Sequence, residues 1–155
     1  MGKLSGKTAL ITGASKGIGE GIARTFLTHG AKVILAARGA AVEELAAQLG
    51  ENTMAVRMDV SDPASVKAGV EAAQAAFGPI DILVSNAGIC KLGDFLTQSD
   101  EDRDAHLDIN VKGAWNTCKA VIPGMLERKW GKIVIMSSVT GDMVADPGEA
   151  AYAMS

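Results

Sequence analysis

The chain alternates short apolar runs with longer segments of helical periodicity. Five runs have the few polar residues expected of strands that are covered on both faces, and they span 8–11, 33–36, 54–58, 80–84 and 133–136. Between them, apolar residues recur every three or four positions, which is typical of helices that bury one face. The first helical stripe consists of Ile18, Ile22, Phe26 and Leu27. This alternation predicts right-handed βαβ units and a parallel sheet.

Two further helices carry clear terminal signals. A short Ala-rich helix over 42–49 is predicted to end at Gly50. Asp62 is predicted to cap a helix that begins with Pro63, and the Gly-Pro pair at 78–79 to end it. The buried stripe of this helix consists of Val66, Val70, Ala73 and Phe77.

A polar loop leads into the longest helical pattern. The acidic run 99–102 predicts a helix N-terminus rather than a metal site, because carboxylates stabilise the positive end of a helix. The apolar members of the stripe that follows are Leu107, Ala114, Cys118, Val121 and Met125. Asn110 falls on the same stripe, so its amide either satisfies backbone groups or serves a site. After 136 we expect a loop and the first turn of another helix.

Length and composition narrow the function classes. We expect the 155 residues to form a single domain over 1–155. The net charge of -3 comes without a basic stripe, which excludes a nucleic-acid footprint. No apolar run approaches the ~20 residues of a membrane span, and no signal-peptide pattern is present. We therefore expect a soluble cytoplasmic protein with no membrane or nucleic-acid partner. His29 and His106 have no partner pattern, which indicates helix-end or surface positions.

A glycine-rich turn, Thr12 to Gly19, separates the first strand from the first helix. A pyrophosphate needs free backbone N–H groups, the positive end of a helix dipole and no obstructing side chains. Gly13, Gly17 and Gly19 meet those needs, although their G-x-x-x-G-x-G spacing is one residue wider than the common dinucleotide motif. A plain tight turn is the alternative. The position at the head of a βαβ unit favours phosphate binding.

The same turn resembles the TGxxxGIG motif of the short-chain dehydrogenase/reductase family. Further matches follow in order along the chain. They are the acidic Asp59-Val60 pair, the NNAG-like Asn86-Ala87-Gly88 with Ser85 as the leading residue, Asn110, Ser138 and the tyrosine of YxxxK, Tyr152. Within the family, the segment 137–153 is most similar to one bacterial oxidoreductase subgroup. The resemblance implies an α/β, Rossmann-type doubly wound parallel sheet with helices on both faces, truncated after about the fifth strand.

The resemblance also implies a set of site residues. Those expected to bind an NAD(P) cofactor are Gly13, Ser15, Lys16, Gly17, Ile18, Gly19, Arg38, Asp59, Val60, Asn86, Ala87 and Gly88. The reaction implied is hydride transfer between the nicotinamide and a small-molecule carbonyl or alcohol substrate. Tyr152 would donate or accept the proton, Ser138 would orient the substrate oxygen, and Asn110 would support a proton relay. No metal is expected, and the parent enzyme is expected to be a homodimer or homotetramer.

Two cations indicate which nicotinamide cofactor is preferred. An acidic residue at the end of the second strand would bind the ribose hydroxyls of NAD and repel a 2′-phosphate. That place holds Ala37, followed by Arg38, and Lys16 lies inside the glycine turn. Each cation alone would be read as an ordinary solvated charge. Together they favour NADP(H), with NAD(H) as the alternative.

The end of the sequence departs from the family pattern. The lysine of YxxxK would stand four positions after Tyr152, whereas the sequence ends at Ser155. We therefore keep two hypotheses: a fragment of an active reductase, or a nucleotide-binding or partner-binding module with little catalysis. In either case the outer edge of the fifth strand is expected to be unpaired, with apolar surface uncovered.

Overall fold

A computed structural model describes residues 2–144 and 146–155 of the chain. The strands are β1 (Thr8–Thr12), β2 (Lys32–Ala37), β3 (Thr53–Arg57), β4 (Ile82–Ser85) and β5 (Lys132–Ile135). The helices are α1 (Gly17–Thr28), α2 (Ala41–Leu49), α3 (Pro63–Phe77), α4 (Asp100–His106), α5 (Gly113–Glu127) and α6 (Ala150–Ala153). A π-helical turn (Leu107–Lys112) joins α4 to α5. In the described ranges, none of these helices combines the length and apolar character needed to cross a membrane.

The strands form one parallel sheet in the order β3-β2-β1-β4-β5. The chain builds outward from β1 to β3, then crosses back to place β4 on the other side of β1. Such a reversal opens a crevice at the carboxyl ends of the central strands, where ligands of α/β proteins bind. The predicted Rossmann-type fold is confirmed.

Alternating strand residues supply two cores, one on each face of the sheet. In β1, Leu10 faces the core built with α3 and α5, whereas Ala9 and Ile11 face the core built with α1 and α2. The same alternation places Ile34 and Val33 of β2 on opposite faces. Because side chains of a strand alternate sides, continuous apolar runs are needed wherever helices cover both faces.

The terminal signals of α2 and α3 are confirmed. Asp62 precedes α3, and its Oδ1 accepts a hydrogen bond from the backbone N–H of Ala64 at 2.9 Å. Gly50 and Gly78 follow α2 and α3 with φ of +92° and +81°, a backbone region that favours glycine. The acidic run is also confirmed as a helix start, since the Oγ of Ser99 accepts the N–H of Asp102 at the head of α4.

The predicted stripe of α1 is wrong at its first member. Ile18 is 65% exposed, while the buried residues of α1 are Gly19 and Ala23. Ile22 and the apolar residues after it pack at the border of the core. In the first turn of α1 it is Gly19 that packs inward, against Gly13, Ala14 and Asn86, where a larger residue would not fit.

The π-helical turn shifts the stripe of the long helical segment. Its buried residues in α5 are Gly113, Thr117, Val121 and Met125. The predicted Ala114 and Cys118 are only partly buried. The predicted Val121 and Met125 are confirmed as buried, so the difference is confined to the part of α5 that directly follows the π-helical turn.

The fifth strand forms the edge of the sheet, as predicted. β5 pairs with β4 on one side, and all four of its residues are exposed. Val134 and Ile135 are 49% and 55% exposed, in contrast to the fully buried strand β1. Apolar side chains and unpaired backbone groups therefore lie together along this edge.

Candidate active site

The glycine turn has the backbone shape of an anion-binding loop. Gly13 and Gly17 take φ of +64° and +60°, and Lys16 between them is extended. Among residues 2–144 and 146–155, no side chain caps the amino end of α1. The first N–H groups of a helix have no intrahelical partner, so at this end they are available to a ligand.

Two glycines allow close contact between the turn and its neighbours. A Cβ on Gly13 would lie 2.9 Å from Cα of Ala87. A Cβ on Gly19 would lie 2.5 Å from the carbonyl oxygen of Gly13 and 2.8 Å from Nδ2 of Asn86. By contrast, a Cβ on Gly17 would meet open space, so the requirement there is the positive φ. The predicted glycines thus serve different physical needs.

The turn is fastened to the segment that follows β4. Nδ2 of Asn86 donates to the carbonyl oxygens of Thr12 and Gly13 at 3.0 and 3.3 Å. The fully buried Oγ1 of Thr12 accepts the backbone N–H groups of Asn86 and Ala87 at 2.9 and 3.0 Å. These four hydrogen bonds fix the turn relative to β4. Asn86 therefore holds the turn in position. Thr12 does so too, although sequence analysis assigned it no role.

A cavity of about 430 Å³ opens beside the turn, at the carboxyl ends of β1, β2, β3 and β4. The predicted cofactor residues that line it are Gly13, Ser15, Lys16, Arg38, Asp59, Val60, Ala87 and Gly88. The remaining predicted cofactor residues, which are not part of its lining, are Gly17, Ile18, Gly19 and Asn86. The first set is thus brought to one space, and Gly19 and Asn86 shape the loop beside it.

The cavity lining contains charges of both signs. Lys16 and Arg38 contribute the cations, and Asp59 contributes a carboxylate. Oδ1 of Asp59 accepts the hydroxyl and the backbone N–H of Ser61 at 2.6 and 3.0 Å. The Ser61 hydroxyl chiefly lowers the pKa of Asp59, the Ser61 N–H and the charge of Arg38 lower it further, and burial opposes them. Asp59 is therefore a fixed, ionised acceptor at the edge of the cavity.

Sequence reasoning missed several apolar members of the lining. They are Ala36, Met58, Ile89 and Ile109. Met58 is buried at the end of the third strand run, and Ile89 directly follows Asn86-Ala87-Gly88. Proximity to those motifs was the available signal. Ile109 directly precedes the motif residue Asn110, but its place in the cavity wall depends on the π-helical turn.

The three predicted catalytic residues lie on separate elements. Ser138 is exposed in the loop after β5, where its Oγ accepts the N–H of Thr140 at 3.1 Å. Tyr152 lies half-buried in α6, and its ring is tilted by 59° against that of His106, with centroids 6.5 Å apart. Asn110 lies in the π-helical turn.

Asn110 forms a reciprocal pair with the backbone of Ile89. Its Oδ1 accepts the Ile89 N–H at 2.8 Å, and its Nδ2 donates to the Ile89 carbonyl at 3.0 Å. Nδ2 also donates to Oγ of Ser155 at 2.8 Å, and that hydroxyl donates to the carbonyl of Tyr152 at 2.9 Å. The amide thus satisfies backbone groups and, through Ser155, joins the cavity wall to the helix of Tyr152.

Comparison with known proteins agrees with this geometry. A family profile described as short chain dehydrogenase matches residues 7–155. The chain is 63% identical over 158 aligned positions to Oxidoreductase UcpA of Salmonella typhimurium, and 62% identical to Oxidoreductase UcpA of Escherichia coli. It is 40% identical over 153 positions to 3-oxoacyl-(acyl-carrier-protein) reductase FabG of Escherichia coli.

These alignments cover the chain and its relatives unequally. The UcpA alignments include 100% of this chain but 60% of each UcpA protein, and the FabG alignment includes 96% of this chain and 61% of FabG. The chain therefore corresponds to an N-terminal part of such proteins. The bacterial subgroup indicated by the segment 137–153 is that of UcpA, and that prediction is confirmed. The family profile covers nearly the whole chain, and the parallel sheet carries a glycine turn at its switch point. The chain therefore belongs to the short-chain dehydrogenase/reductase family.

Proposed function

We propose that the chain is the cofactor-binding part of an oxidoreductase that transfers hydride between NADP(H) and a carbonyl or alcohol substrate. The glycine turn beside the cavity carries this proposal. Its uncapped helix end supplies N–H donors and a positive dipole for the diphosphate. The hydrogen bonds from Asn86 and to Thr12 hold those donors in place before a ligand arrives. Such preorganisation lowers the cost of binding.

The charges of the cavity support a preference for NADP(H) over NAD(H). Lys16 and Arg38 both reach the cavity, and the end of β2 offers Ala37 in place of a carboxylate. A guanidinium binds phosphate through two parallel hydrogen bonds. Asp59 contributes the opposite charge, but Ser61 already occupies its Oδ1. We assign Asp59 and Val60 to the adenine, with the second carboxylate oxygen as an acceptor.

The proposed chemistry assigns one task to each catalytic residue. Bound NADPH supplies the hydride to the carbonyl carbon. The Tyr152 hydroxyl donates a proton to the carbonyl oxygen, so that the product is an alcohol, and in the reverse direction the phenolate accepts that proton. Ser138 donates a hydrogen bond that orients the substrate oxygen. Asn110 is assigned to the relay that returns a proton to Tyr152; its link through Ser155 reaches the backbone carbonyl of Tyr152 and holds the helix that carries the phenol.

Cofactor titration of the 155-residue chain tests the preference. We expect tighter binding of NADPH than of NADH, measured by the fluorescence of the reduced nicotinamide. Loss of one charge-assisted hydrogen bond in Arg38→Ala or Lys16→Ala should weaken NADPH binding by about tenfold and leave NADH nearly unchanged. Lys67→Ala and Arg24→Ala are matched controls, since both cations are exposed and lie outside the cavity. Equal affinities for both cofactors, unaltered by Arg38→Ala, would refute the preference.

The substrate class and the assembly are part of the same proposal. The name of FabG states reduction of a 3-oxoacyl group, which supports a carbonyl as the acceptor here. We propose that the whole protein is a homodimer or homotetramer assembled through α5, whose outer face exposes Trp115 and Leu126 at 69% and 71%. Light scattering with a Trp115→Lys variant tests this assembly, because a charge at a shared helix face should dissociate it.

The second candidate is a nucleotide-binding or partner-binding module with little catalysis. The exposed edge of β5 is expected under both candidates, so it does not separate them. Turnover separates the two candidates. We expect negligible NADPH-dependent carbonyl reduction by the 155-residue chain and activity in a chain extended to the length of its relatives. An extended chain that binds NADPH but reduces no carbonyl would favour the module.

A further inference from the structure

His106 is the last residue of α4 and is fully buried, in contrast to the surface alternative considered from the sequence. Nδ1 lies 2.6 Å from the carbonyl oxygen of Asp102, and Nε2 lies 3.0 Å from the backbone nitrogen of Lys91. A carbonyl oxygen only accepts and a backbone N–H only donates. These partners therefore require a neutral imidazole with its proton on Nδ1.

The hydrogen bond from Lys91 is one of several contacts that hold residues 89–91 in place. We call these three residues the strap. Asn110 pairs with both backbone groups of Ile89 at one end of the strap. At the other end Nζ of Lys91 forms an ion pair with Asp102 at 2.6 Å. Ile89 lines the proposed cofactor cavity. The strap therefore lies between the cavity on one side and α4 with the π-helical turn on the other. The hydrogen bond to His106 is the buried contact that holds it there.

The same imidazole also meets the proposed proton donor. The ring of Tyr152 rests against that of His106 at a centroid separation of 6.5 Å, within the range of favourable aromatic pairs. α6 packs on α4 through this region. The buried His106 side chain therefore contacts both the strap, through the Lys91 N–H, and the ring of Tyr152.

We propose that His106, as the Nδ1–H tautomer, is a positioning residue that sets the strap and the Tyr152 ring relative to each other. The proposal rests on the proposed function in that Tyr152 and the cavity are the parts being positioned. His106 itself transfers no proton. The group that matters is Nε2 of His106, because the backbone N–H of Lys91 has no other hydrogen-bond acceptor among the described residues.

Nuclear magnetic resonance on the intact 155-residue chain tests the tautomer first. The chain contains two histidines and one tyrosine, so the imidazole nitrogens and the Tyr152 ring signals are readily assigned. We expect His106 to show a protonated Nδ1 and an unprotonated Nε2 at neutral pH. A protonated Nε2 in the folded wild-type chain would overturn the proposal without any variant.

Two substitutions then separate the two nitrogens. In His106→Gln the amide oxygen can replace Nε2 as the acceptor for Lys91, whereas in His106→Asn the shorter amide retains only the Asp102 contact. We expect amide exchange at Lys91 to accelerate by about tenfold or more in His106→Asn, with displaced Tyr152 ring signals, and to change by less than about threefold in His106→Gln. His29→Gln, at the C-cap of α1, is the matched control. Equal exchange at Lys91 in the Gln and Asn variants would contradict the proposal.

The affinity for NADPH gives a functional measurement on the same two variants, His106→Gln and His106→Asn. Because the strap forms part of the cavity wall, binding should weaken by about fivefold in His106→Asn and stay within about twofold of wild type in His106→Gln. A wild-type chain that binds no NADPH would overturn the proposed function, while the exchange and ring-signal results would still decide the role of His106. Wild-type affinity in His106→Asn would overturn the coupling of the strap to the cofactor.

Discussion

Two glycines in α1, only two positions apart, should respond in opposite ways to the same substitution. Gly19 packs against the glycine turn and the segment after β4, where a Cβ would approach the Gly13 carbonyl oxygen to 2.5 Å, Nδ2 of Asn86 to 2.8 Å and Cα of Ala14 to 2.9 Å. Gly21 is exposed, and a Cβ there would meet nothing within 4 Å. We therefore expect Gly19→Ala to destabilise the chain and disturb the cofactor turn, and Gly21→Ala to stabilise the chain.

The magnitudes follow from helix propensity and packing. Alanine is favoured over glycine in a helix by about 1 kcal/mol, which applies at both positions. At Gly19 this gain is opposed by overpacking, which costs about 1–3 kcal/mol when the structure can shift and more when the obstructing atoms are backbone. Two of the three close atoms at Gly19, the Gly13 oxygen and Cα of Ala14, are backbone atoms, and the third is Nδ2 of Asn86. The net expectation is a loss of about 1–2 kcal/mol for Gly19→Ala and a gain of about 0.5–1 kcal/mol for Gly21→Ala.

Urea unfolding at a fixed pH measures the stability difference, and titration with NADPH measures the effect on the turn. Gly19→Ala should lower the unfolding midpoint and weaken NADPH binding by about tenfold or more, because the Gly13 carbonyl must move. Gly21→Ala should raise the midpoint and leave binding unchanged. Equal midpoints and equal affinities in the two variants would refute the reasoning from close packing.

Three further substitutions test separate parts of the account. Thr12→Val leaves two backbone N–H groups after β4 without their buried acceptor, so the free energy of unfolding should fall by about 1–3 kcal/mol; an unchanged urea midpoint would contradict this. Ser61→Ala removes the chief cause of the lowered Asp59 pKa. A lowered pKa stabilises the folded chain above the ordinary value of 3.8 and loses this effect as pH falls through the folded pKa, so the stability deficit of Ser61→Ala should be full at pH 7 and shrink below pH 3.8. A deficit independent of pH in urea unfolding would count against that assignment. Ile135→Lys places a charge on the exposed edge of β5 and should reduce concentration-dependent light scattering; greater scattering would be the contrary result.

Local sequence signals predicted much of the fold because they encode local backbone physics. The Asp62-Pro63 start, the glycines after α2 and α3, and the buried strand runs each reflect a capping or burial requirement that needs no tertiary context. The doubly wound parallel sheet was implied by the family resemblance. These same features brought most of the predicted cofactor residues to one cavity.

The departures arise where tertiary packing decides. The π-helical turn at 107–112 changes the hydrogen-bond register, and apolar spacing alone does not reveal such a change. Directly after this turn Thr117 rather than Cys118 is buried, whereas Val121 and Met125 are buried as predicted. Ile18 fits a helical stripe, yet it is exposed, because Gly19 takes the inward position against the glycine turn and Asn86. His106 is buried because its two partners, Lys91 and Asp102, satisfy both ring nitrogens, and sequence spacing gave no sign of that pairing.

The central claim, that the backbone at the head of α1 holds the diphosphate of NADP(H), is tested most directly by residue-resolved amide shifts during NADPH titration. The account predicts a saturable response that is largest at residues 15–19, with further shifts at Arg38 and Asp59. Saturable binding with shifts confined to other surfaces, or a folded chain whose turn amides do not respond, would contradict it.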